Sequence, residues 1–301
     1  MTSGSVCGVA ASRGNAGPLV RQARQAARYS QLDLALEVGV SPRHLSFVEL
    51  GKSRPSPQLL LALAEHLDIP LGERNEWLLA AGYAPRYPRS ALDAPALARV
   101  RAGLNRILDA HDPFPAVAVD RCWDIQLSNA SALLLAAELP GHVTGPAPNL
   151  FRIALHPDGF AGRSRNFADW SPYLLRNLER TLVRHGSPAL RQLAEEAEGW
   201  PGIPPRRTWS RFTDDEITEA VMTWHVTAGS RELSFFTVMS TLGTPLDITL
   251  AELAIEMFFP ADAATEESLR SGRPVATLSD ALPSKPGEHP GVVGHHLHCE
   301  R

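Results

Sequence analysis

Apolar positions follow a helical period over the first part of the chain and a strand period in two later stretches. Leu34, Ala35 and Val38 share one face of a short helix, and Leu45 and Val48 share one face of the next. Helical patterns also cover 19–28, 57–67 and 73–81, so five helices are expected before residue 82. A connector containing Pro85, Pro88 and Pro95 follows, semi-rigid by composition. A helix over 96–110 comes next, with Leu97, Val100, Leu104, Ile107 and Leu108 on one face. From Pro113 the pattern changes: AVAVD and WDIQLS alternate as short strands. Helices are then expected in SNASALLLAAEL, LFRIALHPDGF, NFADWSPYLLRNLERTLVRHG and SPALRQLAEEAEG. AVMTWHVTA, ELSFFTVMSTL and DITLAELAIEMFFP read as three further strands, with a hairpin turn at Gly229-Ser230. In the last strand Leu253, Ile255, Met257 and Phe259 alternate with Glu252, Ala254 and Glu256, which predicts one buried and one wetter face.

The chemistry of the first part concentrates between Gln31 and Leu50. Gly39 falls where a tight turn needs positive φ. Ser41 caps the second helix and Pro42 occupies its first turn, where a missing N–H does no harm. Ala35 is small where the two helices would cross. An ordinary helical hairpin has some of these features, but the flanking helices and the basic GKSRPS turn favour a helix-turn-helix that reads double-stranded operator DNA. Arg43 is the candidate for a bidentate contact to guanine. His44 and Phe47 are candidates for a base edge or a thymine methyl, or else surface or dimer residues, and Ser46 shares their outward face. Gln31 and Ser41 begin helices and suit phosphates. Lys52, Ser53 and Arg54 are assigned to positioning on the sugar-phosphate backbone.

Length suggests two domains, and charge separates them. Residues 1–90 hold ten basic and seven acidic side chains, a balance of +3, while the remainder carries −7 of the overall −4. A mildly basic head on an acidic body fits one DNA-reading module joined to a module with another task. No apolar run approaches the ~18 residues of a membrane span, and the N-terminus lacks the pattern of a signal peptide, so a cytoplasmic protein with no membrane partner is expected. Cys7, Cys122 and Cys299 are scattered, giving neither a disulfide framework nor a CxxC pair. GxSxG, Walker, GxGxxG and HExxH motifs are absent, so no enzyme and no cofactor is expected. Asp214-Asp215-Glu216 reads as a solvated helix start.

SQLDLALEVGVSPRHLSFVELGKSRPSPQLLLALAEHLDI resembles the Xre/Cro-type repressors nearly throughout. Together with NEWLLAAGYAP, LHPDG and ELSFFTVMSTLGTPLDITLAELAIEMFFPAD, the chain over about 18–265 resembles the MmyB-like transcription regulators. The resemblance implies an α+β protein of two domains. The first is an all-α, five-helix, lambda-repressor-like DNA-binding domain, and the second is a PAS-like five-stranded antiparallel sheet with helices. It also implies that Glu49 pairs with Arg24, and that the second domain holds a lipophilic ligand such as a fatty acid. The expected divisions are a disordered 1–17, the DNA-binding domain at 18–82, a linker and connecting helix at 83–109, the PAS-like domain at 110–265 and a disordered tail at 266–301.

An acyl-chain site needs an apolar tunnel with polar groups at one end. Trp123, Ile125 and Leu127 on one strand face, with Met222, Trp224, Phe236, Val238 and Met239 opposite, are the tunnel candidates, or simply core. Arg152, His156, Asn166 with Trp170, and Asn129 are candidates for the polar end; His156 equally suits a helix end, and Asn129 an N-cap. The tail cluster at His295, His296, His298 and Cys299 has metal-ligand chemistry but no fold around it, and no metal site is expected. A homodimer on a two-fold operator completes the reading. The alternative is a DNA-binding regulator whose sheet domain is a ligand-free dimerisation or partner-binding module, which a filled core would favour.

Overall fold

Serine caps set the starts of three helices in the first domain. The computed structural model describes residues 15–211 and 222–271. Its first domain contains α1 (Gly17–Ala26), α2 (Gln31–Glu37), α3 (Pro42–Glu49), α4 (Pro57–His66) and α5 (Leu71–Ala80). Ser30, Ser41 and Ser56 accept hydrogen bonds from the backbone N–H groups of Asp33, His44 and Leu59, satisfying donors that a helix start leaves open. Gly39 adopts φ +73° between α2 and α3, as the turn requires. Val20, Leu34, Ala35, Leu45, Leu60, Leu63 and Trp77 form the core. Gly17 lets α1 start against the end of α3, since a Cβ there would collide with the carbonyls of Val48 and Glu49.

The connector is held at both ends. Asn75 of α5, 9 % exposed, accepts from the Arg86 and Tyr87 N–H groups and donates to the Tyr87 carbonyl. Beyond it, Arg89 forms a bidentate pair with Glu252 at 2.6 and 2.9 Å. Asp247 accepts from Ser90 N–H, and Ile248 N–H donates to the Pro88 carbonyl.

The second domain runs α6 (Ala98–Ala110), β1 (Ala116–Val119), β2 (Ile125–Ser128), α7 (Ala130–Ala136), α8 (Gly141–Thr144), α9 (Leu150–Leu155), α10 (Phe167–His185) and α11 (Pro188–Ala197). It continues with β3 (Trp224–Ala228), β4 (Arg231–Thr241), α12 (Ile248–Ala251), β5 (Ala254–Pro260) and α13 (Ala263–Ser271). The five strands form one antiparallel sheet in the order β2-β1-β5-β4-β3. One face packs on α6 through Leu104, Leu108, Ala116, Ala118 and Ile255. Ile153 of α9 and Phe160 pack with Val226, Leu233 and Phe235 of the other face.

Several expectations are corrected here. The stretch 248–251 is a helical turn rather than strand, because Asp247 caps it by accepting from Thr249 N–H. Ile125, Leu127 and Trp123 do not share a face: the register shifts in the β1–β2 pair, sending Ile125 and Leu127 into different core clusters, and Trp123 precedes the strand with φ 65°. Ile107 is 47 % exposed, outside the buried stripe of α6. Residues 266–271, assigned to the tail, belong to α13, where Thr265 is buried and Leu269 packs on the sheet domain's core. The segment 1–14, the Asp214-Asp215-Glu216 triplet and the tail His/Cys cluster lie outside the described residues.

Candidate functional site

The recognition surface is built on α3. Its apolar face is buried through Leu45 and Val48, which leaves Arg43 and Phe47 exposed and His44 and Ser46 half-buried. Arg43 lies 5.3 Å over the Phe47 ring, a cation–π contact that draws the two outward side chains together. Ser41 and Lys52 are exposed at the two ends of this helix, with Ser53 half-buried beyond. Behind α3, Glu49 receives both Arg24 Nε at 2.6 Å and Nη2 at 2.9 Å. Burial pushes the Glu49 carboxyl upward, but hydrogen bonds from Arg24 and Gln31 outweigh it and hold the group below the usual carboxylate range. Gln31 donates to Glu49 at 2.7 Å, so its side-chain amide has a partner within the protein.

Arg54 has a structural task that its position in the basic turn did not suggest. Its Nε donates to the Ala81 carbonyl at 2.8 Å and its Nη2 to Gly82 at 3.1 Å, with the guanidinium 4.3 Å over Tyr83. The last carbonyls of a helix lack internal partners, and the planar fork of arginine satisfies two acceptors at the end of α5.

In the second domain a cavity of about 340 Å³ lies on the sheet face opposite α6. Val117, Phe235, Thr237, Glu256 and Phe258 form its floor, α7 contributes Ala132 and Leu135, α9 Ile153 and Ala154, and α10 Trp170, Tyr173 and Leu174. Met222 and Trp224 close another side. The ionisable group in the floor is Glu256, 8 % exposed, whose Oε2 has no hydrogen-bond partner among the described residues. Burial raises its carboxyl to about 7, with a hydrogen bond from Thr237 acting in the opposite sense. Trp170 Nε1 is likewise buried without a partner among the described residues.

Of the expected ligand residues, Ile125, Trp170, Met222 and Trp224 line this cavity and the others do not. Arg152 pairs with Glu196 of α11 at 2.7 Å instead. His156 Nδ1 accepts from Asp158 N–H, and its ring meets Trp200 at 4.8 Å. Its other neighbours, His142 and Asp158, bring metal-ligand atoms within 4.8 Å of one another, but His142 and Asp158 are hydrogen-bonded at 3.0 Å and exposed. Asn166 donates to the Thr223 carbonyl and accepts from His225 N–H, tying α10 to β3. Asn129 caps α7 and makes four bonds, accepting from Ala116 and Ala132 and donating to Leu108 and Phe114. Trp123 packs on Phe151, 4.7 Å between ring centroids. Phe236 and Val238 lie on the sheet face away from the cavity, and Met239, 47 % exposed, lies beyond the cavity wall.

Sequence reasoning missed Glu256, which alternation placed on the wetter face. The parity was right and the burial was not: Glu256 opposes the Ile255 and Met257 face, but helices cover both sides of the sheet.

A helix-turn-helix with its outward residues free, joined to a domain with a cavity, defines a DNA-binding transcription regulator with a ligand-binding domain. The helix-turn-helix family matches residues 20–74, and the family described as MmyB-like transcription regulator ligand binding domain matches residues 100–271, more than half of the chain. The chain belongs to the MmyB-like transcription regulators. Neither family is an enzyme family. Comparison with curated proteins gave no match. No helix among the described residues is long and apolar enough to cross a membrane.

Proposed function

We propose that this chain is a one-component cytoplasmic regulator in which a lipophilic small molecule, held in the cavity of a PAS-like domain, alters operator binding by a homodimer. The cavity itself is the observation that carries the reading, since a ligand-free dimerisation module needs none. Its apolar walls suit an acyl or alkyl chain. A fatty acid is the guest implied by the family resemblance, but its carboxylate would meet Glu256 in a lining that holds no Lys or Arg among the described residues.

The route to the DNA-binding domain is short. Glu256 and Glu252 flank the start of β5, and Glu252 grips Arg89 in the connector. A guest that favours one position of β5 over another therefore biases the connector and the placement of α3, provided its affinity differs between the two arrangements. Two copies on a two-fold operator would set recognition helices in half-sites about 10 bp apart. The test is mass spectrometry of a solvent extract of the purified full-length protein, paired with selection of bound duplexes from a random pool. A lipophilic molecule near one per chain and a palindromic consensus are expected. A selected consensus without two-fold symmetry would remove the dimer, and absence of any guest together with DNA affinity indifferent to added lipids would remove the sensor.

A further inference from the structure

The cavity's chemistry is specified by the two polar groups it leaves unmatched. Glu256 is more than nine-tenths buried, lines the cavity, and keeps Oε2 free of any partner among the described residues. A buried acceptor without a donor is costly, and an ionised one more so. Val117 of β1 is its cross-strand partner, Phe235 and Thr237 of β4 and Trp170 and Tyr173 of α10 line the same cavity, and among these Thr237 is the hydrogen-bond partner of the carboxyl. No Lys, Arg or His lines the cavity among the described residues, so nothing there neutralises a second negative charge.

From this geometry we propose that the guest is a lipophilic molecule whose polar end is a hydrogen-bond donor facing Glu256, with an aliphatic amine as the first-choice class, rather than a fatty-acid anion. The ammonium supplies both the missing donor and the missing counter-charge, and charge-assisted bonds of this kind are stronger than neutral ones. Two carboxylates in one apolar site repel, and one of them must take up a proton before both fit. The free Trp170 Nε1 adds a second requirement, an acceptor such as a hydroxyl or ether oxygen on the guest's body. The inference rests on the reading of the cavity as a ligand site.

The test is calorimetric titration of the full-length protein at pH 8 with decylamine, decanol and decanoate. At that pH most of the Glu256 carboxyl is ionised, given its rise to about 7. Decylamine is expected to bind roughly ten-fold more tightly than decanoate, the equivalent of about 1.4 kcal/mol, with decanol between. Glu256→Gln should bring decylamine and decanol to within about three-fold of each other. Ala154→Leu, which fills the cavity, should abolish binding of all three. Decanoate binding as tightly as decylamine, through the Trp170 N–H, would overturn the inference and leave the sensor reading standing, as would decylamine binding unaffected by Ala154→Leu. Failure of all three probes to bind the wild-type protein would overturn both.

Discussion

Glu49 and Glu256 are both buried glutamates, and their surroundings give them opposite pH signatures. Glu49 lies below its ordinary range because Arg24 and Gln31 outweigh its burial. Its contribution to folding is present above the unfolded pKa and is lost as pH falls through the lower folded value. Glu49→Ala leaves Arg24 buried without a counter-ion and should cost about 3–5 kcal/mol, measured by denaturant unfolding of the DNA-binding domain's signal. Glu256 stands at about 7 against an ordinary 4.5, because burial disfavours its charge. Between those values the folded state holds a proton the unfolded state has released, so stability falls as pH rises through this window and levels off above it. The span corresponds to on the order of 3 kcal/mol. Glu256→Gln should flatten that slope in the ligand domain, read as the pH dependence of its melting temperature. An unchanged slope would show that the carboxyl is hydrated rather than desolvated.

At the scale of elements, α3 is a short helix whose two faces do different work. Leu45 and Val48 fix it to the core while Glu49 pins its end, and Arg43 and Phe47 stand outside. Arg43→Ala should lower operator affinity by about 1–3 kcal/mol and relax preference at one base pair per half-site, measured on single-substitution operator variants. A uniform loss across all sequences would reassign Arg43 to phosphate. Most of this element was legible in the sequence, because caps and turns are local: Ser41, Pro42 and Gly39 act through atoms within a few residues. The sheet was less legible. β5 follows its predicted alternation, yet its second face is covered by α10, far earlier in the chain, and no local pattern announces that cover. The partners of Arg54 were hidden for the same reason, since its acceptors at Ala81 and Gly82 are close in space and distant in sequence. The start of the last strand was lost to Asp247, whose carboxylate serves a local cap and the connector together.

For the molecule as a whole, one of the contacts between the connector and the ligand-binding domain is the pair between Arg89 and Glu252. Arg89 is exposed, so its contribution to stability is small. In the proposed sensor its part is transmission. Arg89→Ala should leave DNA affinity and guest affinity each within about three-fold of wild type while removing the effect of guest on DNA binding, measured as operator affinity with and without saturating guest. Persistence of full coupling would assign transmission to the Asp247 and Pro88 backbone contacts instead. Asn75, at the other end of the connector, has a consequence for which operators the protein can accept. By fixing both the N–H groups and the carbonyl of the chain as it leaves α5, this one side chain sets the direction in which each reading head departs from its partner domain. In a two-fold assembly that direction is a ruler. An operator whose half-sites are one base pair too close or too far presents its grooves at the wrong rotation, and a rigid exit cannot follow them. In such an assembly the genome would be filtered by spacing as well as by bases, and a chain with a loosened exit would read a longer list of sites with the same recognition helix.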